Sequence, residues 1–260
     1  MQNLKINKLI TSSATDTSKM FENCSKLKNI DTKNFDTSKV TSMQNMFKNC
    51  SSLTYIDLSS FNTISTNSIK ALFMDCSSLT SIDVSNLNTD SINDISQLFS
   101  GCSSLKSIDL SKLSTNKIIT MNDLFSGCEN IKEIDLSHFD ASNVNTMSRA
   151  FYGCTNLEKI NFGSFNTREL IYMSYLFDGC SSLTSIDLSM FNTEKVTTMR
   201  NLFNGCTSLK YVDLSNFSSN SCTDFVSMFG QCKELTVKIN SNKNRQIIEI
   251  LPYNSKIDDI

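Results

Sequence analysis

A cysteine returns every 26 residues from Cys24 to Cys232, through Cys50, Cys76, Cys102, Cys128, Cys154, Cys180 and Cys206, with no insertion or deletion. Phenylalanines keep the same step three places earlier, from Phe21 to Phe229, and an aliphatic residue keeps it three places later, from Leu27 to Leu235. A fixed step over so long a stretch means that each copy meets its neighbours through the same slots. That is the sequence signature of a solenoid, and it argues against two separate globular halves.

One copy, "CSSLTSIDLSMFNTEKVTTMRNLFNG" from Cys180 to Gly205, shows what the slots hold. Ile186 and Leu188 alternate with Asp187 and Ser189, the period of a half-buried strand. Val196, Met199, Leu202 and Phe203 then recur at steps of three and four, which predicts a short helix with one apolar stripe. Thr193 stands where an N-cap belongs, and Thr37, Thr63, Thr89, Thr115 and Thr167 hold the same slot in other copies. Gly101, Gly127, Gly153, Gly179 and Gly205, replaced earlier by Asn23, Asn49 and Asp75, suit the left-handed conformation that ends a helix.

The pattern L-x-x-I-x-L-x-x-F resembles the leucine-rich repeat, with Phe in place of the usual Asn or Cys. More narrowly, the "SLTSIDLS", "FNT" and "LF…C" or "MF…C" elements are similar to the repeats of BspA-like leucine-rich repeat surface proteins, over residues 1 to about 236. The resemblance implies a cell-surface or secreted protein engaged in adhesion and host-protein recognition. The expected fold is an α/β, right-handed leucine-rich-repeat-type solenoid. It has one parallel sheet, short helices opposite, and about nine repeats of 26 residues.

The register predicts a solenoid over residues 1–236 and a C-terminal cap over 237–260. Met1, Leu4, Ile6 and Leu9 fall in strand slots of a copy whose beginning is missing. This leaves the N-terminus uncapped and open to end-to-end self-association. At the other end, "CKELTVKIN" puts Lys238 at an Ile slot and moves the alternation to Leu235, Val237 and Ile239.

Composition narrows the function. Lys and Arg total 24 against 26 Asp and Glu, so the chain carries no basic footprint for nucleic acid. No apolar run is long enough for a transmembrane helix, and "MQNLKINKLITSS" has no signal-peptide core; a cytoplasmic interaction module of leucine-rich-repeat type is therefore the alternative reading. His138 is the single histidine, and the thiols have neither the close pairing of zinc sites nor a recurring base. No catalytic residue, cofactor or metal is expected. Each ladder cysteine, and Cys222 in a valine slot, is expected to fill a small buried space, the ladder thiols turned to a backbone carbonyl.

Because inward slots are committed to packing, a partner (a protein or other surface macromolecule) would be read by outward strand residues. One outward column is acidic: Asp57, Asp83, Asp109, Asp135, Asp187 and Asp213, with Asp31 before them and Asn161 among them. It either attracts cations and basic segments or accepts hydrogen bonds from neighbouring serines and loop N–H groups. The column two residues earlier is the most varied, with Tyr55, Glu133, Lys159 and Tyr211 as candidate anchors.

Overall fold

The computed structural model describes the backbone of residues 3–5 and the whole of residues 10–260. The chain winds as a leucine-rich-repeat-type solenoid in which described residues of the repeats lie beside their equivalents one copy away. Strands β1 (Asn3–Lys5) and β2 (Asn29–Asp31) pair in parallel with Leu4 opposite Ile30. β3 (Glu133–Asp135) pairs with β4 (Lys159–Asn161), and β5 (Ser185–Asp187) with β6 (Tyr211–Asp213), again in parallel and 26 residues apart. Between β2 and β3 the segments 55–57, 81–83 and 107–109 occupy the same slot without a strand ladder. Their bonds lie at the outer limit of hydrogen-bond length, with Thr80 N–H donating to the Thr54 carbonyl at 3.5 Å and Lys106 N–H to Thr80 at 3.4 Å. Ile56 and Ile82 stay buried there, so packing continues where pairing lapses.

The second half of each copy is not the helix that its apolar spacing predicts. It is a run of tight turns, and the backbone bonds explain why. The N–H groups of Met43, Asn45, Phe47 and Asn49 donate to Ser68, Lys70, Leu72 and Met74, one copy further on. Those of Met46, Lys48 and Cys50 donate three residues back, to Met43, Asn45 and Phe47. Alternate amides therefore stitch copies together, where a helix would keep them all within one turn. Two left-handed residues per copy, four apart, make this path: Asn201 (φ 54°) and Gly205 (φ 72°) in one, Tyr175 (φ 60°) and Gly179 (φ 79°) in the one before. The Gly/Asn slot is left-handed as read, but it ends no helix.

The threonines are likewise not helix caps. Thr193 is fully buried; its hydroxyl donates to the Ser218 carbonyl at 3.0 Å and accepts from the Ser218 N–H at 2.8 Å. Thr37 and Thr167 hold Asn62 and Asn192 in the same two-bonded way. Each threonine is a rung-to-rung clasp.

Inside, equivalent side chains form columns. The rings of Phe21, Phe47, Phe73, Phe99, Phe125, Phe151, Phe177, Phe203 and Phe229 stack with centroids 5.4–6.1 Å apart and planes within 12° of parallel. Offset stacking at that spacing adds to the gain from burial alone. Phe162, in a leucine slot, meets Phe151, Phe177 and Phe191 edge-on. All ten cysteines are free, and the ladder thiols donate to the phenylalanine carbonyl 29 residues back, from Cys50 to Phe21 (3.2 Å) through Cys232 to Phe203 (3.2 Å). Cys222 is buried in its valine slot, whereas Cys24 is exposed.

At the C-terminal end the step shortens by one residue. β7 (Thr236–Ile239) pairs with β6 so that Val237, not Lys238, faces Val212. The one-residue deletion moves the inward alternation onto Leu235, Val237 and Ile239, all buried. A five-residue helix, α1 (Arg245–Glu249), follows, and β8 (Lys256–Asp259) then adds in parallel to β7. Buried Asn244 ties this segment to the stack by donating its side-chain amide to the Phe217 carbonyl at 2.9 Å. Of the N-terminal strand slots, Met1, Ile6 and Leu9 lie outside the described residues.

Candidate functional site

The strand face is built by the alternation of Ile (inward) with its two neighbours (outward). The register sets Glu133 beside Lys159 and Ser185 beside Tyr211 in one outward column, and Asp135 beside Asn161 and Asp187 beside Asp213 in the next. Tyr55 is 54% exposed; Asp83, Asp109, Glu133, Asp135, Lys159 and Asp187 are also exposed, and Asp57 is half-buried. Asp213 differs. It is 6% exposed, and Lys238 bonds to its Oδ2 at 3.0 Å, so the outward acidic column is covered at its C-terminal end. Tyr211 beside it is half-buried.

Most of the acidic column has a local task. Oδ1 of Asp57, Asp83, Asp109, Asp135, Asp187 and Asp213 accepts the N–H of the serine two residues on, at 2.8–2.9 Å. Asp31 and Asn161 make the same turn with Lys33 and Gly163 at 3.2 Å. Such turns close the corner that follows the strand. Bonds from the Ser59 backbone and hydroxyl hold the Asp57 carboxyl below its ordinary range. The Ser85 hydroxyl and backbone do the same for Asp83, outweighing the repulsion of Asp109 and Asp57. The carboxylates are thus stabilised one by one rather than left as a bare anionic strip. Tyr55, Glu133 and Lys159, two residues earlier in their copies, are exposed side chains of the varied column.

Two features escape a reading of the strand alone. On the face beyond the threonine clasps, a groove of about 570 Å³ is lined by Asn93, Lys117, Ile119, Asn145, Glu169 and Ile171, among others. Lys195 pairs with Glu169 at 2.6 Å on this face. Its signal in the sequence is the column that follows the buried valine slot, where Asn67, Asn93 and Asn145 alternate with Ile119 and Ile171. On the turn face, the Arg149 guanidinium lies 5.5 Å from the Tyr152 ring centre and 5.1 Å from that of Tyr175. Burial raises the carboxyl of nearby Asp123, an effect that Arg149 partly offsets. Among the described residues, no three or more His, Cys, Asp or Glu side chains converge as a metal-holding group.

The family described as "Mycoplasma protein of unknown function, DUF285" matches residues 1–86, 67–184 and 155–252. The chain belongs to that family. No curated protein matches it. Among solved structures it is similar to a leucine-rich repeat protein from Bacteroides ovatus, at 19% identity over 100% of this chain and 84% of that chain, with a TM-score of 0.35. A leucine-rich cell surface protein from Faecalibacterium prausnitzii is 16% identical over 94% and 76% of the two chains, with a TM-score of 0.45. The leucine-rich repeat protein of T. pallidum is 14% identical over 98% and 80%, with a TM-score of 0.28. Within the DUF285 chain, no helix among the described residues is long and apolar enough to cross a membrane.

Proposed function

We propose that this DUF285 chain is a non-catalytic protein-binding scaffold, displayed at a cell surface, that recognises a host protein or another surface macromolecule through its outward strand face. The observation that carries this reading is a contrast between columns. The inward slots repeat nearly unchanged and are buried, whereas the outward column of Asn29, Tyr55, Ser81, Ser107, Glu133, Lys159, Ser185 and Tyr211 changes from copy to copy. Variation in an accessible column of a rigid stack is what specific recognition requires. Tyr55, Glu133, Lys159 and Tyr211 are the proposed anchors. Asp57, Asp83, Asp109, Asp135, Asp187 and Asp213 frame them while shaping the corner.

The test is attachment of the purified chain to intact cells and matrix proteins. The parent is expected to bind, and a variant carrying Tyr55→Ala and Lys159→Glu is expected to lose at least about tenfold in affinity, the effect of removing one good anchor. Absence of attachment across a broad set of cells and matrix proteins would overturn the proposal. One observation favours a second reading, an interaction module in a reducing compartment: all ten thiols are unpaired, and the ladder thiols serve as hydrogen-bond donors. Oxidised or blocked thiols in protein isolated from its native compartment would exclude it.

A further inference from the structure

β8 is the outermost strand of the sheet β5-β6-β7-β8, and only its inner edge is paired among the described residues. The Lys256 N–H donates to the Leu235 carbonyl at 2.6 Å. In a parallel pair, alternate residues turn both backbone groups to the same neighbour, so Lys256 and Asp258 address β7 while Ile257 and Asp259 turn theirs outward. The side chains continue the columns of the stack. Ile257 follows Val212 and Val237 on the inner face, yet it is 45% exposed because nothing covers it. Lys256 and Asp258 follow Thr236 and Lys238 on the outer face, and both are exposed.

We propose that β8 pairs antiparallel with β8 of a second copy of this chain, about a twofold axis through Ile257. Three independent features select this register. Ile257 opposite Ile257 of the second copy allows each to donate its outward N–H to the other's carbonyl. The same register brings the two isoleucine side chains together on the inner face, closing a core column that otherwise ends in solvent. It also sets Lys256 opposite Asp258 of the second copy and Asp258 opposite Lys256, two complementary cross-strand pairs. A one-residue slip would turn inner side chains against outer ones and remove all three. The contact is self-complementary, so it closes as a dimer and does not propagate. The last copy also leaves apolar surface open at this end, with Val226 51% and Tyr253 90% exposed beside a cavity of about 620 Å³.

Sedimentation equilibrium on the full 260-residue chain tests this. The expected result is a concentration-dependent species of twice the 29.1 kDa chain mass and nothing larger. Ile257→Pro removes the outward N–H without touching a bond to β7, and is expected to abolish the dimer. Lys256→Asp and Asp258→Lys each place like charges across the axis and are expected to weaken dimerisation about tenfold. An equimolar mixture of these two variants is expected to restore it, because their reversed charges complement each other. Thermal unfolding like that of the parent shows that each variant is folded. A chain monomeric at the highest attainable concentration, a dimer indifferent to Ile257→Pro, a mixture no tighter than its components, or mass that grows without limit would each overturn the proposal.

Discussion

Thr193 shows how much of this fold is held by side chains whose partners lie a whole copy away. Its hydroxyl satisfies both backbone groups of Ser218 in the dry interior. Thr193→Val keeps the shape and removes both bonds, leaving a buried N–H and carbonyl unpaired. It is expected to lower stability by about 1–3 kcal/mol in denaturant unfolding. The cysteines are the opposite case: the burial of Cys50 through Cys206 was legible from the period alone. The expectation fails only at the ends of the ladder, where Cys24 is exposed and Cys232 half-buried. Burial pushes the thiols of Cys50, Cys102, Cys154 and Cys232 up to about 12 from the ordinary 9.0. The unfolded chain therefore ionises first as pH rises, so stability is whole below pH 9 and falls progressively between 9 and about 12. Thermal melts across that range check it. At neutral pH a thiol reagent should modify exposed Cys24 rapidly and Cys76 through Cys206 only after unfolding. The carboxylates act with opposite sign. Turn bonds lower Asp57, Asp83, Asp109 and Asp135, so their contribution is present above the ordinary 3.8 and is lost as pH falls through their folded values.

Of the elements, the strand was readable and the turn run was not. Val196, Met199, Leu202 and Phe203 satisfy helical spacing and are all buried, but spacing reports which side chains face inward, not which carbonyl each amide finds. The deciding bonds reach Asp224, Val226 and Met228 in the next copy, and they exist only once copies stack. Tertiary structure overrides local propensity here, to the extent of holding Ala71, Arg149 and Tyr175 in the left-handed region. Asn45, Asp123 and Asn201, four residues ahead of the glycine slot, were the available hint, diluted by Lys19, Ala71, Gln97, Arg149 and Tyr175 in the same column. Gly153 isolates the conformational term, since a Cβ built there meets nothing closer than 3.9 Å. Gly153→Val is expected to cost about 1–2 kcal/mol, and Gly153→Asn clearly less, because asparagine tolerates this region and Asn49 already holds the slot at φ 58°. Chemical denaturation of the pair against the parent measures the difference.

Across the whole molecule, the period dictated more than any motif. The phenylalanine column, the parallel register and the inward set all follow from the 26-residue step, and each is found. The pairing gaps between β2 and β3 were not legible, since "YIDLS", "SIDVS" and "SIDLS" there match the copies that do pair. The outward strand positions were legible as positions. That the aspartates serve their own corners was one of the two readings the sequence left open; what it hid was that Lys238, displaced by a one-residue deletion, covers Asp213. If neighbours meet only through fixed slots, excising residues 129–154, one whole period, should leave a folded but less stable solenoid. Excising half a period should abolish folding by turning inner columns outward. Circular dichroism and cooperative thermal unfolding distinguish the two.

The alternating amides of the turn run have a mechanical consequence. Bonds from Met199, Asn201 and Phe203 run along the stack axis to the next coil. An end layer is held by such bonds on one side only, so tension applied between the two ends strips it first. Layers should therefore peel away singly, each releasing about 80–90 Å of slack chain. The molecule would behave less like a rod that snaps than like a tether that lengthens under strain and winds back when the pull relaxes.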